Sequence, residues 1–305
     1  ATTPTTQAPV PGVTSAQGGY LLSPVTAPTG VGEAGPLSFR IVDADGEAVT
    51  GFATSHEKKL HLIVVRTDGT QFRHVHPTMD ADGTWSLPWE WAAAGTYRVY
   101  TDFVPDVEGT AEPITLTRTV EVAGQFTPAP PEATNTATVD GYTVELTGDV
   151  TAGSSSELTF TVSKDGEPVT NLEPYLGAFA HLVALRDGDL AFLHVHPEGS
   201  EPTAGEVSGP EIGFAAQLPT PGRYLLYFDF QIDDAIHTAS FVLSTAWATA
   251  PAIGTWQSTF CLVRLATWPQ RSLTSSSGSR FGSNASASNS LRSSAAAVVL
   301  SSSVN

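Results

Sequence analysis

Apolar and polar residues alternate along most of the first 244 positions in short runs, with turn-forming residues between the runs. In the later half the runs fall at 142–147, 158–163, 180–186, 191–196, 212–218, 223–230 and 237–243. A period of two marks strands with one face buried, and spacing of about 8–12 residues between turns marks a sandwich or barrel. No long segment with a helical period competes with this reading. Seven strands in ~105 residues is the size of an immunoglobulin-like (Ig-like) or cupredoxin-like sandwich.

The pattern occurs twice. Gly46-Glu47-Ala48-Val49-Thr50 matches Gly166-Glu167-Pro168-Val169-Thr170, and HLIVVRTDGTQFRHVHP (61–77) matches HLVALRDGDLAFLHVHP (181–197) without a gap. Further on, Tyr100-Thr101-Asp102-Phe103 matches Tyr227-Phe228-Asp229-Phe230. Such internal similarity is the signature of a duplicated unit. The expected fold is therefore all-β: two tandem Ig-like or cupredoxin-like β-sandwich domains with a low-complexity C-terminal tail. The expected bounds are a Thr/Pro-rich linker at 1–18, repeat 1 at 19–123, a Pro/Thr-rich linker at 124–140, repeat 2 at 141–244 and the tail at 245–305. A linker of that composition is expected to leave the two domains free to move.

All eight histidines lie inside the repeats, and six occupy equivalent positions: His61, His74 and His76, and His181, His194 and His196. Asp68-Gly69 between two β-prone runs predicts a two-residue type I′ hairpin. Thr67 then pairs with Thr70, which sets His61 opposite His76. His74 lies two residues from His76 and so shares its face. Copy 2 repeats this with Gly188-Asp189 as the turn and His181 opposite His196. Cross-strand neighbours at ~4.5–5.5 Å and next-but-one neighbours at ~7 Å bring three imidazoles within reach of one ion. The same face carries Ile63, Val65 and Phe72, so the histidines are expected on the core side of the sandwich, near one of its mouths. His237 shares parity with Ala239, Phe241 and Leu243 and is expected to add a fourth ligand in copy 2. Copy 1 has His56 in the preceding loop instead. Copy 2 is therefore expected to hold the more complete site, with Asp102 and Asp229 as groups behind the ligands.

Imidazole ligands alone favour Cu(II) or Zn(II). With one cysteine, Cys261, and one methionine, Met79, neither an intrachain disulfide, a CxxC site nor a His₂Cys blue-copper centre is expected. A formal charge of −17 with only three lysines argues against nucleic acid. No apolar run is long enough to span a membrane as a helix. Export to the cell envelope or the extracellular space is expected from the Thr/Pro-rich opening. All 31 acidic residues lie at or before Asp234, whereas four arginines follow it, so the tail reads either as a disordered low-complexity segment or as the product of a frame shift. Motifs of hydrolases and nucleotide-binding enzymes are absent, and no enzyme is expected.

The HVHP hairpins on a duplicated scaffold resemble those of secreted bacterial, actinobacterial-type proteins of Ig-like or cupredoxin-like fold. The resemblance covers about residues 19–244 and implies a heavy-metal or copper association. The expected function is transition-metal binding by a histidine hairpin in each repeat. The alternative is an Ig-like adhesion or spacer module whose histidines are structural.

Overall fold

A computed structural model describes residues 11–107, 112–199, 201–203 and 205–247. The expected tail from 248 onward, with Cys261, lies outside the described residues. Among the described residues every regular element is a strand. Repeat 1 holds β1 (Ala16–Gln17), β2 (Tyr20–Leu22), β3 (Gly35–Val42), β4 (Phe52–Ala53), β5 (His61–Arg66), β6 (Arg73–Val75), β7 (Thr78–Met79), β8 (Thr84–Trp89), β9 (Gly95–Pro105) and β10 (Ile114–Val122). Repeat 2 holds β11 (Thr136–Val139), β12 (Tyr142–Thr147), β13 (Thr151–Ala152), β14 (Ser155–Lys164), β15 (Glu167–Pro168), β16 (Ala180–Arg186), β17 (Phe192–His194), β18 (His196–Pro197), β19 (Glu211–Gln217), β20 (Gly222–Ile232) and β21 (Ala235–Trp247).

Each repeat is a sandwich of two sheets. In repeat 1 the sheet β1-β2-β3-β8-β7 faces β10-β9-β5-β6, and in repeat 2 β11-β12-β14-β19-β18 faces β13-β21-β20-β16-β17. The outer sheets alternate in burial as a half-solvated sheet must: β12 runs buried, half-buried, buried, exposed, buried, exposed. Trp85, Trp89 and Trp91 are buried in the repeat 1 core and form no exposed platform.

The inner sheets differ. β5 and β16 are buried along nearly their whole length. Leu62 and Val64 enter the core of repeat 1, and Leu182 and Ala184 that of repeat 2. Their neighbours Ile63, Val65, Val183 and Leu185 join a third apolar cluster with Tyr100, Phe192, Leu225 and Tyr227. That cluster draws on both repeats, so the two inner sheets pack face to face and the repeats form one four-layer body. Apolar residues at both parities are what a sheet buried on both faces requires.

Polar contacts close the same interface. Tyr100 donates its hydroxyl to the Leu190 carbonyl at 2.6 Å, and Tyr227 donates to the Gly69 carbonyl at 2.7 Å. Each tyrosine thus holds the hairpin loop of the opposite repeat. The linker does not leave the repeats free, because its side of the interface is strapped to both. Phe126 lies under the Arg66 guanidinium at 4.9 Å, Ala129 donates to Asp68 at 2.9 Å, and the Pro131 carbonyl accepts from Arg223 at 2.7 Å.

Candidate metal centre

The hairpin that carries the histidines keeps the expected register by a different turn. Leu62 pairs with Val75, Ile63 with His74 and Val64 with Arg73, the expected register, and the ladder ends at Val75, one residue before His76. The turn is not type I′, since only Gly69 of its central residues has positive φ. Gly69 N–H donates to Arg66 O at 2.8 Å and Arg66 N–H to Thr70 O at 2.9 Å. This is a three-residue connection with glycine in the left-handed position, and Gln71 at φ 57 takes up the extra residue. Asp68 fixes the loop. Burial raises its carboxyl, but hydrogen bonds from Arg66, Ala129 and Thr70 outweigh burial and hold it at about 2.

His61 opens β5 and His74 lies in β6. His76 follows where the chain leaves the inner sheet for β7 in the outer one. The three rings converge, with one nitrogen from each within 4.8 Å of the others. His61 Nδ1 lies 3.1 Å from His74 Nε2 and 3.2 Å from His76 Nε2. The far side of two rings is already committed. His61 Nε2–H is given to the Ser55 carbonyl at 3.0 Å, and His74 Nδ1–H to Asp229 at 3.0 Å. With both rings neutral each has one N–H, and His61 Nδ1 and His74 Nε2 then present lone pairs to each other.

Lone pairs 3.1 Å apart repel unless a cation lies between them. A proton on His61 or His76 is disfavoured. Burial pushes His61 down to about 3, with repulsion from His74 added, although the Ser55 carbonyl favours the protonated ring. Burial likewise pushes His76 down to about 2, reinforced by His74 and His61. A metal ion fits better. Ligands at ~2.0–2.1 Å in tetrahedral array stand about 3.3 Å apart, close to the spacings here. The carbonyl and carboxylate behind the rings are the partners that metal-bound histidines use.

Sequence parity groups His61 with Ile63 and Val65 correctly, but the face they share is not the core of their own sandwich. It is the interface with repeat 2. The signal lay in HLIVVR, where Leu62 and Val64 already supply an apolar face for the core. Asp229, expected only behind the ligands of its own repeat, bonds the histidine of the other.

His181 sits on the interface as well. It donates Nε2–H to the Tyr175 carbonyl at 2.8 Å, and its ring centroid lies 6.2 Å from that of His74. Burial, then the neighbouring His74, brings it down to about 4. His56 stands edge-on to His61 and His181, with centroids 6.1 and 5.5 Å away. Val183 pairs with His194 in β16–β17, whereas His196 pairs with Ala215 in the outer sheet. The side chains of His194 and His196 lie outside the described part of the structure.

His237 does not join these groups. It pairs with Phe230, while Asp229 pairs with Thr238, so His237 and Asp229 lie on opposite faces of the sheet. Its ring packs on Tyr142 and Phe230 and bonds Asp140 at 2.8 Å. Its apolar parity was real, but it leads into the core of repeat 2, away from the interface. Among the described side chains the more complete cluster is that of repeat 1, not repeat 2.

Comparison with solved structures gives likenesses at low identity. A Salmonella alpha-2-macroglobulin mutant is 15% identical over 80% of this chain and 15% of its own, with a TM-score of 0.23. Invasin, a bacterial integrin-binding protein, is 13% identical over 76% of this chain and 40% of its own, also at 0.23. The ectodomain of mouse nectin-like molecule 4 is 10% identical over 76% of this chain and 66% of its own, at 0.19. The chain thus spans less than half the length of the first two. No curated protein matches it. A family model matches twice, over residues 16–123 and 137–247, which together exceed half of the chain. The chain belongs to the family described as a domain of unknown function, DUF8832, and carries two copies of that domain.

Proposed function

We propose that this protein binds a transition-metal ion, Cu(II) or Zn(II), through His61 Nδ1, His74 Nε2 and His76 Nε2, as a secreted or cell-envelope metal-binding protein without catalytic activity. One observation carries the reading: His61 Nδ1 and His74 Nε2 face each other at 3.1 Å, with His76 Nε2 beside them, while the outer nitrogens of His61 and His74 are bonded to Ser55 and Asp229. An all-nitrogen donor set supports Cu(II) or Zn(II) over harder cations. The cell-envelope setting is what the HVHP resemblance implies.

The test is elemental analysis of the full chain after incubation with Cu(II) or Zn(II) and desalting. Retained metal is the expected result. A folded protein that retains neither ion would sink the proposal and leave an Ig-like adhesion or spacer module with structural histidines.

A further inference from the structure

The three donors of the centre all come from repeat 1, yet repeat 2 stands against them. His74 is bonded to Asp229, and the Tyr175 ring lies edge-on to both His76 and His181, with centroids 6.4 and 5.7 Å away. His181 donates Nε2–H to the Tyr175 carbonyl at 2.8 Å, so with the ring neutral its lone pair is on Nδ1. It is not a fourth member of the cluster. Among the described residues, the nitrogens that lie within 4.8 Å of one another are those of His61, His74 and His76. The His181 ring is edge-on to His74 with its centroid 6.2 Å away. A polar gap too wide for direct contact is what a bridging water spans.

There is room for one. His61, His74 and Asp102 of repeat 1 and His181 of repeat 2 line a cavity of about 40 Å³, among apolar neighbours such as Ile63 and Phe192. A water needs ~10–15 Å³ of such space and two to four polar partners, so the cavity takes roughly one to three atoms of that size and no ring. Three nitrogen donors leave the fourth corner of a tetrahedral ion to water or to an exogenous ligand. Two of the three donors border the cavity. A water there has its partners in balance: its lone pair goes to the ion, one O–H to His181 Nδ1 and the other to Asp102. Asp102 accepts the Thr115 hydroxyl on Oδ1 at 2.7 Å, and a carboxylate has lone pairs for more than one donor.

We propose that the ion carries a water molecule in this cavity as its fourth ligand, held to repeat 2 through His181 Nδ1, and that small anions of two or three atoms exchange with it. Three neutral imidazoles leave the buried ion its whole positive charge, which favours an anion at the open corner. In the exchange the anion enters as water leaves, and the oxidation state of the ion does not change. The centre is then closed to rings and larger ligands by the docked repeats. This rests on the reading of the centre given above.

The experiment uses the Cu(II)-loaded full chain and its electron paramagnetic resonance spectrum. In water enriched in the magnetic oxygen isotope the lines should broaden. Azide should remove that broadening and add a charge-transfer band, whereas imidazole, a ring too large for the cavity, should change nothing. His181→Ala enlarges the cavity and should admit imidazole. It should still retain metal, weaker by no more than the ~10–100-fold of a lost supporting partner. Retained Cu(II) with neither broadening nor a response to azide would overturn the bound water and leave the centre standing. So would four coordinated imidazoles in the parent that become three in His181→Ala, since His181 would then fill the fourth corner itself. A parent that takes imidazole as readily as azide would overturn the placement in the cavity. No retained metal would overturn both readings. If His181→Ala fails to fold, the spectra of the parent with azide and imidazole decide alone.

Discussion

His61 and His237 are both buried, both on strands, and each has one ring nitrogen bonded to an oxygen acceptor. They differ in what the rest of the ring meets. Around His237 stand the apolar rings of Tyr142 and Phe230, and its acceptor, Asp140, is largely exposed. Around His61 stand two more imidazoles whose nitrogens point back at its own lone pair. Burial therefore does not distinguish a ligand-like histidine from a structural one. Opposed ring nitrogens, each ring fixed from behind by an acceptor, do.

The sharpest way to break this comparison is to remove one ring from each setting. His76→Ala takes away one of three donors without exposing a committed acceptor in the described structure. Loss of a ligand should exceed the ~10–100-fold that a supporting partner contributes, so binding at the centre should fall by more than ~100-fold. His237→Ala should leave affinity unchanged. Isothermal titration with Zn(II) reads both, and an equal effect of the two variants would erase the distinction.

Much of this contrast was legible in the sequence, and its failures have physical causes. The register expected for the hairpin holds from Leu62–Val75 to Val64–Arg73, because residue pairing is constrained wherever two apolar faces must be matched. The turn type was misread: Asp68-Gly69 signals a two-residue loop, yet Gly69 and Gln71 share the left-handed positions over a longer connection. The face of the histidines was assigned to the wrong partner because parity names a side and not what covers it. His237 was added to the cluster by the same step, since inward parity in a four-layer body means the core for one sheet face and the interface for the other. That Asp229 reaches His74 across 155 positions is a property of repeat docking, which no local pattern encodes.

Acid should separate the settings next. The folded rings of His61, His76 and His181 are held at about 3, 2 and 4, whereas an unfolded histidine titrates near 6.5. Below about pH 6.5 the unfolded chain binds protons at these three sites that the folded chain does not, so stability is full above that pH and is lost as the pH falls. Asp102 has the opposite sign. Burial raises its carboxyl to about 6, opposed by the Thr115 hydroxyl, so between roughly pH 4 and 6 the folded state holds one proton that the unfolded state has released. From these four groups the metal-free chain should take up about two protons on unfolding in that window. Urea midpoints at pH 7, 6 and 5 check the sign. Midpoints that rise on acidification would contradict the burial of neutral imidazoles at the interface.

Asp229→Asn tests the crossed support with a smaller change. The amide keeps the volume and an oxygen that accepts from His74, but it removes the carboxylate's charge. Affinity for Zn(II) at the centre should fall by ~10–100-fold while the three ligands remain. An unchanged affinity would mean that His74 is oriented by the strand alone.

The smallest effect is expected at His237 itself. Truncation to alanine removes a hydrogen bond to a largely exposed carboxylate and leaves a gap beside Tyr142 and Phe230. A net hydrogen bond contributes ~0.5–1.5 kcal/mol, and the lost ring packing adds to it, so about 1–2 kcal/mol of stability should be lost. The same loss should be measured with and without metal. A loss that grows when the protein is loaded would couple His237 to the ion through the sheet that separates them. It would return His237 to the centre that its position on the opposite sheet face denies it.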